Sequence, residues 1–241
     1  MNLLVDAGNT TVKFGLVEDD VITQILSLST TSFSKTEVER LLKQYYPFQT
    51  IGVATVSLST NEILDIIPHQ KQVNISASAK LPFDIYYKTP ETLGADRLSV
   101  VAGALSQTSK KNILIIDAGS AITYEFVENG IYLGGNISPG LCLRFEALHQ
   151  FTSRLPLLQP QSPRNKIGTT TNEAINNGVV WGIRNEIEQT IASFQQQNTE
   201  NTVFLTGGDA FFLQGLLKSN IFVEPNLTLL GILEILTHNN D

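Results

Sequence analysis

Short apolar runs closed by an acid and a glycine set the pattern of this chain. Leu3-Leu4-Val5 runs into Asp6-Ala7-Gly8-Asn9-Thr10-Thr11, and Leu114-Ile115-Ile116 runs into Asp117-Ala118-Gly119-Ser120 111 positions later. A second extended segment follows each turn, 12–17 in one copy and 123–127 in the other. Each copy then closes on a polar turn, Glu18-Asp19-Asp20 or Glu128-Asn129-Gly130, the latter carrying a hairpin dipeptide. The unit is strand, acid–glycine turn, strand, turn, strand, and its spacing of nearly half the chain points to duplication. The polar stretch Gln107-Thr108-Ser109-Lys110-Lys111-Asn112 marks the boundary, giving domains 1–112 and 113–241.

Other elements follow from periodicity. The β-branched segments 51–57 and 72–75 predict strands. Leu93, Leu98, Val101, Ala102 and Leu105 predict an amphipathic helix over 92–106, and a helix follows Pro139 over 140–150. The longest helix spans 171–197, with Ile175, Val179, Ile183, Ile187, Ile191 and Phe194 as its buried stripe. Gly178 and Gly182 lie near that stripe, where ordinary packing or the close approach of another backbone would use them. A strand over 201–205 leads into Thr206-Gly207-Gly208-Asp209 and a helix; a short strand at 222–223 precedes a last helix from about 227. Pro156, Pro160 and Pro163 make 155–166 a loop or lid.

With 42% hydrophobic and 16% charged residues, 241 residues bury enough apolar surface to fold without disulfides or structural metal. Sixteen basic against 23 acidic side chains give a net charge of −7, which disfavours a nucleic-acid or membrane-surface partner. Cys142 is the single cysteine and fits a reducing compartment. The first residues lack a basic leader, and the apolar stretch 227–236 is broken by Glu234 and too short to span a bilayer. Together these predict a cytoplasmic protein. Walker, dinucleotide-binding, zinc-protease and nucleophile-elbow signatures are missing, and His69, His149 and His238 lack ligand spacing. Chemistry must rest on carboxylates, glycines and hydroxyls.

An acid at a strand end with glycine close behind puts a carboxylate beside exposed backbone N–H groups. Glycine lets a phosphate approach, and the acid can hold a divalent cation. One such turn alone reads as an acid capping its own backbone. Two at equivalent repeat positions, with Lys13 able to reach outer phosphates and with Thr206-Gly207-Gly208, read as a grip on a nucleoside triphosphate. Gly94-Ala95-Asp96-Arg97 opens a helix; Asp96 is a candidate general base and Arg97 a candidate anchor for an anionic substrate.

The ordered set of motifs resembles the type III pantothenate kinases of bacteria over essentially the whole chain. It comprises Asp6-x-Gly8-Asn9-Thr10 with Lys13, Tyr87-x-x-Pro90-x-x-Leu93-Gly94-Ala95-Asp96-Arg97, Asp117-x-Gly119, Gly134-Gly135-Asn136-Ile137-Ser138-Pro139-Gly140, Thr171-x-x-Ala174-x-x-x-Gly178 and Thr206-Gly207-Gly208. The resemblance implies the superfamily of acetate kinase, sugar kinases, actin and heat-shock chaperone ATPases. Its fold is α/β, two duplicated ribonuclease-H-like domains with an ATP cleft between them. It implies phosphorylation of pantothenate by ATP, opening coenzyme A synthesis, in a homodimer needing Mg²⁺ and a monovalent cation, potassium or ammonium. By motif, Asp6, Ala7, Gly8, Asn9, Thr10, Thr11, Val12 and Lys13 would form the first phosphate loop, Asp6 also being placed to hold Mg²⁺. Asp96 would be the base. Gly94, Ala95, Asp96 and Arg97 would line the pantothenate pocket with Tyr87 and Thr171. Asp117 would bind the monovalent cation, Ser120 would contact ATP, and Gly207 and Gly208 would lie near the adenosine. Ser120 departs from the family's usual Thr, keeping the hydroxyl and losing a methyl. The alternatives are a kinase of the same superfamily acting on another small alcohol or sugar, and a non-catalytic regulatory relative.

Overall fold

The computed structural model describes residues 1–240. In chain order the elements are β1 (Asn2–Ala7), β2 (Thr11–Glu18), β3 (Val21–Ser29), α1 (Lys35–Leu42), β4 (Phe48–Thr55), α2 (Thr60–Leu64), β5 (His69–Asn74), β6 (Asp84–Ile85) and α3 (Ala95–Gln107). There follow β7 (Asn112–Ala118), β8 (Ala121–Glu128), β9 (Ile131–Pro139), α4 (Leu141–Gln150), α5 (Thr171–Gln197), β10 (Asn201–Thr206), α6 (Ala210–Gln214), β11 (Phe222–Val223) and α7 (Leu227–Asn240). By packing, one compact unit takes residues 1–109, 130–133 and 226–240, and the other takes 110–129 and 134–225.

The duplication is visible in the sheets. In the first unit the strand order is β3-β2-β1-β4-β5, with β1 antiparallel to β2 and parallel to β4. In the second the order β9-β8-β7-β10-β11 repeats it, with β7 antiparallel to β8 and parallel to β10. Two ribonuclease-H-like α/β units account for the chain.

Each sheet is covered on one face by its own core. Leu3, Val5, Phe14, Val38, Leu42, Ile51 and Ile63 form the first. The second gathers the β7 and β8 side chains Leu114, Ile116 and Tyr124 under the α5 stripe Ile175 to Phe194, which is buried throughout as its spacing predicts. Each fully buried Ile of that stripe contributes about 1.5–3 kcal/mol. α5 starts where it does because the Thr170 hydroxyl accepts the Glu173 N–H, while the Glu173 carboxylate accepts from the Thr169 backbone and hydroxyl.

Several differences from the expected elements have physical causes. α3 begins at Ala95 rather than 92, because Pro90–Thr92 forms a separate 3₁₀ turn and Gly94 is extended (ψ 141°). This puts Asp96 in the first helical turn. The short helices α1 and α2 lack a long apolar stripe and are set by Ser34 and Ser59, whose hydroxyls cap them. Among the described residues no backbone approaches Gly178 or Gly182: a Cβ at Gly178 would meet nothing within 4 Å, and one at Gly182 only Arg144. The close approach lies elsewhere in the first unit, where α7 crosses α3. A Cβ on Gly231 would overlap the Ser99 carbonyl, and one on Gly103 the Leu227 carbonyl. Only glycine at both positions lets these helix backbones touch.

Candidate active site

β1 ends at Ala7, and the chain turns through Gly8-Asn9-Thr10 into β2, the Gly8 N–H bonding the Thr11 carbonyl at 3.0 Å. Antiparallel register brings Lys13 opposite Asp6. The turn is fixed from outside by two residues that the motifs do not contain. Ser57, just past β4, donates its hydroxyl to the carbonyls of Ala7 (3.2 Å) and Gly8 (2.8 Å). Thr30, just past β3, donates to Gly8 at 2.8 Å, and its N–H bonds the Thr10 carbonyl at 3.0 Å. The only sequence signal for Ser57 is its place at the end of β4, the counterpart in the repeat of Gly207-Gly208 after β10.

Asp6 lies enclosed at this turn. Burial raises its carboxyl to about 6; Lys13 draws it down and the charge of Asp96 pushes it up. Asp96 and Asp6, 90 positions apart in the chain, therefore share one electrostatic environment. The Asp96 carboxylate accepts the Arg97 N–H at 2.8 Å, so it sits at the positive end of α3. Gly94 makes room for it: a Cβ there would overlap Asp96 Oδ1. Arg97 is buried at 8% exposure and is no solvated surface charge. Ala95 is buried and Tyr87 half-buried, in the loop after β6.

In the second unit β7 ends at Ala118 and turns through Gly119-Ser120 into β8, with Thr123 opposite Asp117. Parallel pairing places Thr206, at the end of β10, beside Asp117. Gly207 has φ +93°, and a Cβ there would overlap the Ala118 carbonyl and lie 2.5 Å from Asp117 Oδ1. Glycine is required on both counts. The Asp209 N–H bonds the Ala118 carbonyl at 2.9 Å, closing this junction. Gly208 and Ser120 are exposed. Thr171 is exposed at the first turn of α5, on a largely apolar groove of about 880 Å³ shared with Arg144, Phe151 and Gly178.

Two of the three histidines have backbone partners: His69 Nδ1 bonds the Ile67 carbonyl and His149 Nδ1 the Leu155 carbonyl. Among the described residues no three acidic, histidine or cysteine side chains gather into a metal-binding group, and no helix is long and apolar enough to cross a membrane. The acid–glycine turns, with phosphate and water as further ligands, suit a hard cation held by few protein oxygens.

Comparison with known proteins agrees with this arrangement. The family model described as type III pantothenate kinase matches residues 2–193. A type III pantothenate kinase of Flavobacterium psychrophilum is 41% identical over 231 residues, 95% of each chain. One of Bacteroides fragilis is 41% identical over 244 residues, covering 100% of this chain and 99% of its own. Among solved structures, a protein of Campylobacter jejuni assigned to the Baf family of transcriptional activators superposes with a TM-score of 0.62 at 22% identity, over 99% and 98% of the two chains. Component A of the (R)-2-hydroxyglutaryl-CoA dehydratase of Acidaminococcus fermentans superposes at 0.53 and 14%, over 97% and 95%. These two share the fold. The full-length relatives and the family model carry the assignment, and the chain belongs to the type III pantothenate kinase family, a family of enzymes.

Proposed function

We propose that this protein transfers the γ-phosphoryl group of ATP to the primary hydroxyl of pantothenate, giving 4′-phosphopantothenate at the first step of coenzyme A synthesis. The observation that carries the chemistry is the pairing of Asp6, at the end of β1, with Asp96, at the start of α3, in one electrostatic environment. One carboxylate is suited to a metal-bound nucleotide and the other to the alcohol.

In this reading the hydroxyl oxygen attacks the γ-phosphorus, the bond to the β–γ bridging oxygen breaks, ADP leaves, and Asp96 accepts the hydroxyl proton. Asp6 through Lys13 hold the outer phosphates, Lys13 as a point charge opposite Asp6. Ser120 contacts ATP from the second turn, with Gly207 and Gly208 beside the adenosine. Gly94, Ala95, Arg97, Tyr87 and Thr171 line the pantothenate pocket, Arg97 answering the substrate carboxylate. Asp6 is the residue to hold Mg²⁺, since a carboxyl raised to about 6 is one whose charge the protein leaves under-compensated. Mg²⁺ would supply charge neutralisation of the phosphates. Asp117 is the residue to hold potassium or ammonium. The halves 1–112 and 113–241 are the duplicated segments of this reading, α7 of the second packing into the first compact unit; two chains form a homodimer, and the cytoplasm is its location.

ADP release by the purified protein with Mg²⁺, potassium and ATP, with and without pantothenate, tests the proposal. Pantothenate-dependent release is expected. Release that responds instead to a sugar, or to no alcohol, overturns it.

A further inference from the structure

The second phosphate turn is held from the β9–α4 junction. The Gly140 N–H bonds the Ser120 carbonyl at 3.1 Å, and a Cβ on Gly140 would overlap the carbonyls of Gly119 and Ser120. Pro139-Gly140 therefore lies flat against the turn, and any shift of this dipeptide moves Ser120.

What fixes the dipeptide is a polar cluster that the motifs leave unexplained. Arg144, one turn into α4, donates through Nε to the Pro139 carbonyl (2.8 Å) and through Nη2 to the Ser138 hydroxyl (3.1 Å) and to Glu186 Oε2 (2.6 Å). Glu186, in the middle of α5, also accepts from the Ser138 hydroxyl (2.5 Å) and the Tyr124 hydroxyl (2.7 Å). Four elements, β8, β9, α4 and α5, thus meet on one carboxylate. The ion pair is mostly covered, its side chains 21% and 31% exposed, so solvent screens it less than a surface pair. Burial alone would raise the Glu186 carboxyl, yet the bonds from Arg144, Ser138 and Tyr124 outweigh it and hold the group below its usual value. Glu186 stays charged, and Arg144 stays fixed on the Pro139 carbonyl.

We propose that Arg144 and Glu186 are positioning residues for ATP: the pair clamps Ser138-Pro139-Gly140, which in turn sets the Gly119-Ser120 backbone where the nucleotide is bound. This rests on the reading that the second turn contacts ATP. Neither residue needs to touch the nucleotide. Displacement of such a turn by about 1 Å is enough to cost up to 100-fold.

Arg144→Lys is the informative variant. Lysine keeps the charge for Glu186 but cannot hold the Pro139 carbonyl with a second, rigid nitrogen. Glu188 supplies the control: two residues along α5, it accepts from the Lys218 backbone N–H and the Ser219 hydroxyl, at a distance in sequence from the phosphate turn. Calorimetric titration with Mg²⁺ and a non-hydrolysable ATP analogue needs no pantothenate, so it reads the positioning whatever the acceptor. Arg144→Lys is expected to weaken analogue binding about 10- to 100-fold in a variant that circular dichroism shows to be folded. Glu188→Gln should lower Tm with analogue binding unchanged. In turnover assays the Arg144→Lys variant should raise KM for ATP. Glu186→Gln, which removes the charge and keeps the shape, should weaken analogue binding in the same direction and serves if an Arg144 variant fails to fold. Wild-type analogue affinity in folded Arg144→Lys or Glu186→Gln overturns the proposal. Wild-type affinity in Ser120→Ala beside a weakened Arg144→Lys removes only the Ser120 hydroxyl as a contact, and leaves the positioning of the turn standing.

Discussion

Lys13 stands directly opposite Asp6 on the β1–β2 ladder, and Thr123 stands in the same place opposite Asp117 on the β7–β8 ladder. The duplicated motif has kept its acid in both copies and its cation in one. The first turn therefore carries a cation opposite its acid, and the second carries a hydroxyl.

The raised carboxyl of Asp6 has a sign that can be measured. Its folded value, about 6, exceeds the ordinary 3.8, so the native state binds this proton more tightly than the unfolded chain. Ionising Asp6 then costs stability as pH rises from about 4 to 6, and the cost is complete above that. Asp6→Asn should raise the stability of the ligand-free protein by at most about 3 kcal/mol at pH 8, and by about a third of that at pH 4.5. Urea midpoints at the two pH values check this. The same variant should lose turnover, with a defect eased by added Mg²⁺.

Asp96→Asn keeps the shape of the side chain but is a far poorer proton acceptor. kcat should fall by about 10²–10⁴ with KM for pantothenate little changed. Steady-state kinetics on a variant shown by circular dichroism to be folded decide it, and near-normal kcat would leave Asp96 a substrate-positioning role alone.

Gly207 and Gly208 separate backbone need from ligand contact. Gly207→Ala combines a positive φ with overlap of the Ala118 carbonyl, and should cost about 1–3 kcal/mol of stability. A Cβ on Gly208 meets nothing within 4 Å, so Gly208→Ala should leave the Tm unchanged while raising KM for ATP by crowding the adenosine. An unchanged KM would remove Gly208 from the nucleotide site.

Asp117 should make turnover depend on potassium or ammonium, because one divalent ion leaves part of the triphosphate charge uncompensated. Rates in Tris or sodium buffer equal to those in potassium would refute the assignment, and Asp117→Asn should flatten the potassium response.

Two chains should associate, with Thr171 and α5 in the region that links assembly to pantothenate binding. Light scattering at assay concentrations is expected to return a dimer; a fully active monomer would exclude it.

The acid–glycine turns were legible because they recur, and α5 because its apolar stripe keeps helical spacing from Ile175 to Phe194. The start of α3 was obscured by the 3₁₀ turn at Pro90, which continues a helical periodicity without being part of the helix. Ser57 and Thr30 were hidden for a different reason. They serve the Gly8 carbonyl from 49 and 22 positions away, and a hydroxyl that bonds a distant backbone leaves no local pattern. The Arg144–Glu186 pair is of the same kind, joining α4 to α5 across 42 positions.

The crossing of α7 over α3 has a consequence for biosynthesis. Gly231 rests on the backbone of α3, and Ile232 and Leu236 lie against Gly52 of β4, so the last helix completes the unit that begins with Met1. A nascent chain on the ribosome has β1 to β5 available long before it has α7. Until residues 227–240 emerge, the faces of α3 and β4 that α7 packs against lack that cover, and native closure of the first unit waits on that segment. β4, made well before α7, is therefore sealed only after it.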